Sequence, residues 1–140
     1  MTPLSLRQAT MGVVIVAVIS AVVAGILLLG SPADERMRRL DERRVNDLIA
    51  LARATDVYWT RHDRLPESLD QLVQEPGSSV SEQDPGTGVP YEYAALDERT
   101  YEVCASFAQS ATLVEHRLDG DFWTHGEGRQ CFRREAQEVR

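Results

Sequence analysis

Two cysteines, three histidines and a few loop aspartates are the side chains of this sequence whose types suit chemistry. Cys104 and Cys131 have no third cysteine with which to build a metal cluster. Their economical use is a disulfide in an oxidising compartment, the other reading being two unrelated buried thiols in a cytosolic domain. Closing that loop is worth about 3 to 4 kcal/mol in the chain-entropy description, and a bonded Cys104 is no nucleophile. His62, His116 and His125 never stand three or four residues apart, so no ready zinc site is expected. His125, close to Trp123 and Gly126, is expected to cap a strand or bond the neighbouring loop, with a ligand or proton-switch role as the other reading. Asp84, Asp119 and Asp121 place hard oxygens in loops, but the D-G-D spacing lacks the dense ligand ladder of a calcium loop. G-x-S-x-G, G-x-G-x-x-G and H-E-x-x-H do not occur. No catalytic, cofactor-binding or metal-ligating residue is assigned, no cofactor is expected, and the chain does not read as an enzyme.

Something must position these residues, and 140 residues leave room for one small domain beside an apolar segment. The net charge is −7, and Arg7 is the only charge before Ser31, so the remainder sets 14 arginines against 22 acids. Such a surface opposes phosphate binding, and no nucleic-acid partner is expected. All 15 basic residues are Arg, which reads as coding bias before chemistry.

Residues 11–30 carry no charge and only one side-chain hydroxyl, Ser20. As a helix at about 1.5 Å per residue they span a hydrocarbon core of about 30 Å. Residues 1–10 then form a cytoplasmic leader. The rival is a cleaved signal peptide, whose apolar region is usually shorter, about 7 to 15 residues, and ends in a small-x-small site. Orientation sets two rules against each other. Arg36, Arg38, Arg39, Arg43 and Arg44 follow the span, which by charge count draws the domain into the cytoplasm; the cysteine pair argues for the oxidising side, and long domains translocate despite flanking charge. The expectation is a single-pass protein of a bacterial inner membrane with its C-terminal domain in the periplasm. Ala17, Ala21, Ala24 and Gly25 make a small-residue strip through which another membrane helix can pack.

After the span, Ser31-Pro32-Ala33-Asp34 reads as a helix start, with Ser as N-cap and Pro in the first turn. Met37, Leu40, Leu48, Leu51, Ala52, Thr55, Tyr58 and Trp59 follow at three-to-four spacing and predict one buried stripe on a long amphipathic helix ending near 62–64. A short helix is expected over 68–74, stopped by Pro76-Gly77. Asp84-Pro85-Gly86-Thr87-Gly88 is a turn segment. The period then changes to two at Tyr91, Tyr93 and Ala95, and again at Tyr101, Val103, Ala105 and Phe107, giving an antiparallel hairpin. Cys131 and Phe132 mark a third short strand, and residues 133–140 a charged, frayed tail. The aromatics Tyr58, Trp59, Tyr91, Tyr93, Tyr101 and Trp123 are expected in the core, where Trp59→Ala costs about 3 to 5 kcal/mol. The fold class is α+β: a transmembrane helix, a long amphipathic helix, a short helix and a small antiparallel sheet packed on the long helix.

This order of elements resembles type IV pilins and the major pseudopilins of type II secretion. The stretch Asp41, Arg43, Arg44, Asp47, Leu48, Ala54, Tyr58, then Leu65, Pro66, Ser68, Leu69, Leu72, is similar to the pattern in which the long helix ends before L/Y-P-x-S-L-x-x-L. Asp84, Pro85, Thr87, Gly88, Pro90, Tyr91 and Tyr93 look like the D-P-x-T-G-x-P-Y-x-Y turn that opens the sheet, and Tyr101, Glu102, Val103, Cys104 and Ala105 extend the likeness. It covers about residues 34–107. The amino terminus departs from the pattern: Gly12 is followed by Val13, Val14, Ile15, Val16 and Ala17, without the Phe of the cleavage site or the Glu of the mature start. Prepilin-peptidase processing is therefore not implied. The resemblance implies a pilin-like head over residues 31–132 and raises calcium near Asp84, Asp119 or Asp121. It implies a membrane-anchored structural or interaction protein of a secretion or pilus-type assembly. An accessory single-pass subunit of another inner-membrane complex is the alternative, and a periplasmic enzyme or metal-binding module stands behind both.

Overall fold

The apolar run folds as helix α1, Leu6–Leu29, in the computed structural model of the chain. The structure describes residues 6–29, 31–111 and 120–139, with the side chains of 6, 7, 27–29, 120 and 121 excepted. Two compact units are present, residues 1–36 and 37–140. In the first, α1 is apolar all round from Met11 onward, and Val13, Val14, Val18, Ile19 and Ile26 are all exposed. A helix that is hydrophobic on every face suits a lipid solvent better than water. By length and composition Gln8–Ile26 can cross a membrane, as an anchor or as a signal sequence. The helix begins at Leu6, so residues 6–10 of the expected leader are already helical.

Helix α2 runs Pro32–His62. It starts where the capping residues predict: Ser31 Oγ accepts the Ala33 N–H at 3.2 Å and the Ser31 carbonyl accepts the Glu35 N–H. Its buried stripe, from residue 41 onward, belongs to the second unit and comprises Asp41, Arg44, Val45, Leu48, Leu51, Ala52, Thr55, Asp56 and Tyr58. The stripe departs from the expected one at its beginning, where Met37 and Leu40 are only partly covered and the charged Asp41 and Arg44 go inside. Helix α3, Leu69–Gln74, follows with Ser68 as its cap residue.

Three strands, β1 (Glu92–Ala95), β2 (Thr100–Phe107) and β3 (Gly128–Glu135), form an antiparallel sheet in the order β1-β2-β3. Alternation sorts the strands into two faces. Tyr101, Val103, Ala105 and Phe107 turn toward a core shared with Val45, Leu48, Leu51, Ala52, Leu65, Leu69, Leu72, Trp123 and Phe132. Glu102, Cys104 and Ser106 take the other face, opposite Arg133, Cys131 and Arg129. The α+β class expected from the sequence is the class observed: apolar helix, long helix, short helix and three-stranded antiparallel sheet.

Two expectations are corrected. Residues 133–139 are not a frayed tail, and Arg140 lies outside the described residues. β3 continues to Glu135, Ala136 is 1% exposed, Gln137 N–H donates to Asp56 Oδ1 at 3.0 Å and Val139 N–H donates to Thr60 Oγ1 at 3.0 Å. Charge density suggested solvent, but backbone hydrogen bonds to α2 hold the segment whatever its side chains carry. Trp59 is the second. It packs at the edge of the core, half-buried, with the Arg99 guanidinium 4.6 Å above its ring. Trp59→Ala is therefore expected to cost about 1 to 2 kcal/mol rather than a core residue's share. A urea titration against Leu48→Ala checks this, and an equal loss in both variants contradicts the edge placement.

Candidate functional site

A buried ion network is the most elaborate polar feature of the second unit. Asp41 and Arg44 are one helical turn apart on the core stripe, and Asp84 arrives from the turn before the sheet; all three are less than 9% exposed. Arg44 Nη1 donates to Asp41 Oδ1 at 2.7 Å, Nη2 donates to Asp84 Oδ1 at 3.0 Å, and Nε donates to Asp84 Oδ2. The remaining capacity is taken by the backbone. Asp84 Oδ1 accepts the N–H groups of Gly86 and Thr87 at 2.8 Å each, while Asp41 accepts those of Ala108 and Gln109 at 2.9 to 3.1 Å. Burial pushes the Asp84 carboxyl upward, but the bonds from Arg44, Thr87 and Gly86 outweigh it and hold the group at about 2. The same pairing holds Arg44 above its ordinary value. With every oxygen engaged, this is a staple joining α2, the 84–88 turn and the end of β2. It also explains Gly86, where a Cβ would lie 3.0 Å from Arg44 Nη2 and 3.3 Å from Asp84 Oδ1.

The surface best shaped for recognition is a groove of about 520 Å³ along another face of α2. Asn46, Ile49, Ala50, Arg53, Ala54, Val57 and Arg61 form one wall, and Leu72, Glu75 and residues 76–80 the other. Three-to-four spacing places the first wall beside the core stripe, so its side chains stay open to the outside. Arg61 fixes the second wall by donating from Nη1 to Glu75 Oε1 at 3.0 Å and to the Pro76 carbonyl at 3.3 Å. His62 Nε2 lies 3.2 Å from Glu75 Oε2. The Arg61 guanidinium, with help from His62, holds the Glu75 carboxyl below the usual range. Gly77 turns the segment at φ 85°, where a side chain is strained. Ser78 Oγ is buried with no hydrogen-bond partner among the described residues. An apolar trough with a rim of ions can seat an amphipathic segment.

The residues singled out from the sequence do not converge on one site. Cys104 and Cys131 are bonded, as expected, from directly opposed positions of β2 and β3 with Cα atoms 4.1 Å apart. His125 is 5% exposed, stacks on Phe107 with ring centroids 3.6 Å apart, and lies with Nδ1 3.2 Å from the Gly126 carbonyl, so that nitrogen donates. This is the structural role. Asp84 belongs to the staple rather than to an open loop, His116 and Asp119 lie outside the described residues, and so does the Asp121 side chain. On α1, Ala17, Ala21 and Ala24 are exposed and Gly25 is partly covered.

Asp41, Arg44 and Asp56 are the buried charges that the sequence reading missed. Their signal was positional: all three fall on the same helical stripe as Leu48, Leu51 and Ala52. Asp56 behaves oppositely to Asp84, since burial raises its pKa and the Gln137 N–H only partly compensates. A carboxyl with a raised folded pKa lends stability as pH falls and withdraws it as pH rises through that value. Asp56→Asn keeps an acceptor for Gln137 without the charge, so its melting temperature at pH 7 is expected to equal or exceed that of the parent, a lower value showing the charge itself to be needed. No protein family matches the sequence, and no curated protein or solved structure shows significant similarity to it.

Proposed function

We propose that this chain is a membrane-anchored, pseudopilin-like structural protein: a single pass of a bacterial inner membrane carrying a periplasmic head that works by contact with other proteins of a secretion or pilus-type assembly. The observation that carries the reading is the order of elements. An apolar α1 is followed by a 31-residue α2, then α3, then a three-stranded antiparallel sheet sharing its core with α2. The words of the pilin-like resemblance gain a physical sense as well. Asp41, Arg44 and Asp84 staple the long helix to the turn that opens the sheet, and the hydroxyl of Tyr91 donates to Asp47 Oδ2 at 2.8 Å. The Cys104–Cys131 bond supports an oxidising compartment. The groove supplies a contact surface for a partner segment that offers apolar side chains to Ile49, Ala50, Val57 and Val80.

A photo-crosslinking residue at Ala50, in cells expressing the full chain, is expected to capture a discrete membrane or periplasmic protein, and Ala54→Trp in the same background to abolish capture by filling the trough. Capture unaffected by that substitution rules the groove out as the contact. The side of the membrane is checked by an impermeant thiol reagent on spheroplasts. Cys104 and Cys131 are expected to label only after reduction with the inner membrane intact; labelling that requires breach of that membrane overturns the placement. Intact mass separates the two roles: a chain cut after Gly12 and methylated is a filament component, and an uncut chain is an accessory subunit.

A further inference from the structure

We propose that the reduced form of this chain holds a zinc ion between Cys104, Cys131 and Glu102, a site that the disulfide closes and a dithiol reductant opens. One ligand atom from each residue lies within 4.8 Å of the others. The sheet register produces the cluster. Cys104 and Cys131 are direct cross-strand partners, and Glu102, two residues earlier on β2, emerges on the same face. In a tetrahedral site zinc takes thiolate sulfur at about 2.3 Å and carboxylate oxygen at about 2.0 to 2.2 Å. Two sulfurs on one ion then stand roughly 3.8 Å apart, which is compatible with Cα atoms 4.1 Å apart once the covalent bond is broken. Rotation of side chains suffices, and the strands stay paired.

Charge supports the same assignment. Two thiolates and a carboxylate around a divalent ion leave one negative charge, and two arginines border the site. Arg129 Nη2 lies 3.4 Å from Cys104 Sγ while its guanidinium also donates to both carboxylate oxygens of Glu92, and Arg133 Nη2 lies 3.9 Å from Glu102 Oε2. The Arg129 guanidinium favours the thiolate of Cys104, the form zinc binds, by the part of its charge that Glu92 does not take. The fourth position is left for water or a small anion.

The opening step balances. A dithiol attacks the partly exposed Cys131 sulfur, Cys104 leaves as a thiolate beside Arg129, and the reductant's second thiol resolves the mixed disulfide. The reductant departs as its own disulfide and the chain gains two thiols, whose protons are released as zinc binds.

The test uses the full chain in detergent micelles, reduced with a phosphine, desalted without oxygen and titrated with cobalt(II) as a spectroscopic stand-in for zinc. One equivalent is expected to produce thiolate-to-cobalt charge-transfer absorption in the near ultraviolet, and zinc to abolish it; the oxidised chain is expected to give none. Glu102→Gln, whose fold is verified first in the disulfide form, is expected to weaken binding about 10-fold or more after reduction. Cys131→Ser is expected to remove the charge-transfer band, and zinc to raise the melting temperature of the reduced parent. Absence of the band, its persistence in Cys131→Ser, or equal affinity in Glu102→Gln overturns the site, as does a reduced chain that loses its sheet and does not regain it with zinc.

Discussion

Arg44→Met is expected to destabilise the second unit by about 3 to 5 kcal/mol. The cost does not come from lost packing, since Met follows much of the same path through the core stripe. It comes from Asp41 and Asp84, which are left facing each other in a site less than 9% exposed with their shared counter-ion gone. Removing one partner of a buried ionic group strands the other, whereas replacing the whole group by apolar residues is often neutral. Here the second route is blocked, because the carboxylates also accept the N–H groups of Gly86, Thr87, Ala108 and Gln109. For a domain of about 100 residues the melting temperature falls by on the order of 20 °C. The acid limb of the stability curve carries a second signature. The Asp84 pKa is depressed to about 2, so its contribution is whole above the unfolded value near 4 and is lost as pH falls toward 2, roughly 2 to 3 kcal/mol in all. In Arg44→Met that limb is expected to flatten. Urea titrations of both proteins between pH 7 and pH 2 check both effects, and a loss of less than about 1 kcal/mol at pH 7 would show that water reaches the carboxylates.

The Cys104→Ser, Cys131→Ser double variant is expected to lose about 3.5 kcal/mol, by release of a loop with a sequence separation of 27. That loop includes the short 3-10 helix over Gly120–Trp123, which delivers Trp123 to the core at 1% exposure. The eight residue pairs between β2 and β3 remain, so the variant is expected to stay folded within a usual stability of about 5 to 15 kcal/mol. Melting of the oxidised parent, the reduced parent and the double variant, all with a metal chelator present, is expected to give one high and two matching low transitions. A reduced parent that melts with the oxidised one removes the bond from the account of stability.

The period-two run at Tyr101–Phe107 was legible because one side of a sheet must be dry and the other wet, a constraint that repeats every second residue, whereas in β1 only Tyr93 is partly covered and Ala95 is exposed. The long helix and its start at Ser31-Pro32 were legible for a similar reason: a cap and a stripe are local patterns. The staple was not. Asp41 and Arg44 lie on the stripe, but charged residues on a helix ordinarily go to solvent, and their burial depends on Asp84, forty residues away from Arg44. The groove was hidden as well, since it exists only where residues 76–80 fold back beside α2.

Composition and periodicity alone determined that an apolar helix precedes an acidic α+β domain, because solvent preference and local hydrogen bonding are written residue by residue. Tertiary structure decided which charges are buried, that residues 136–139 dock on α2, and that Glu102 joins the cysteines on one face of the sheet. Those outcomes depend on groups far apart in the chain meeting at hydrogen-bond distance, a condition that no local pattern records.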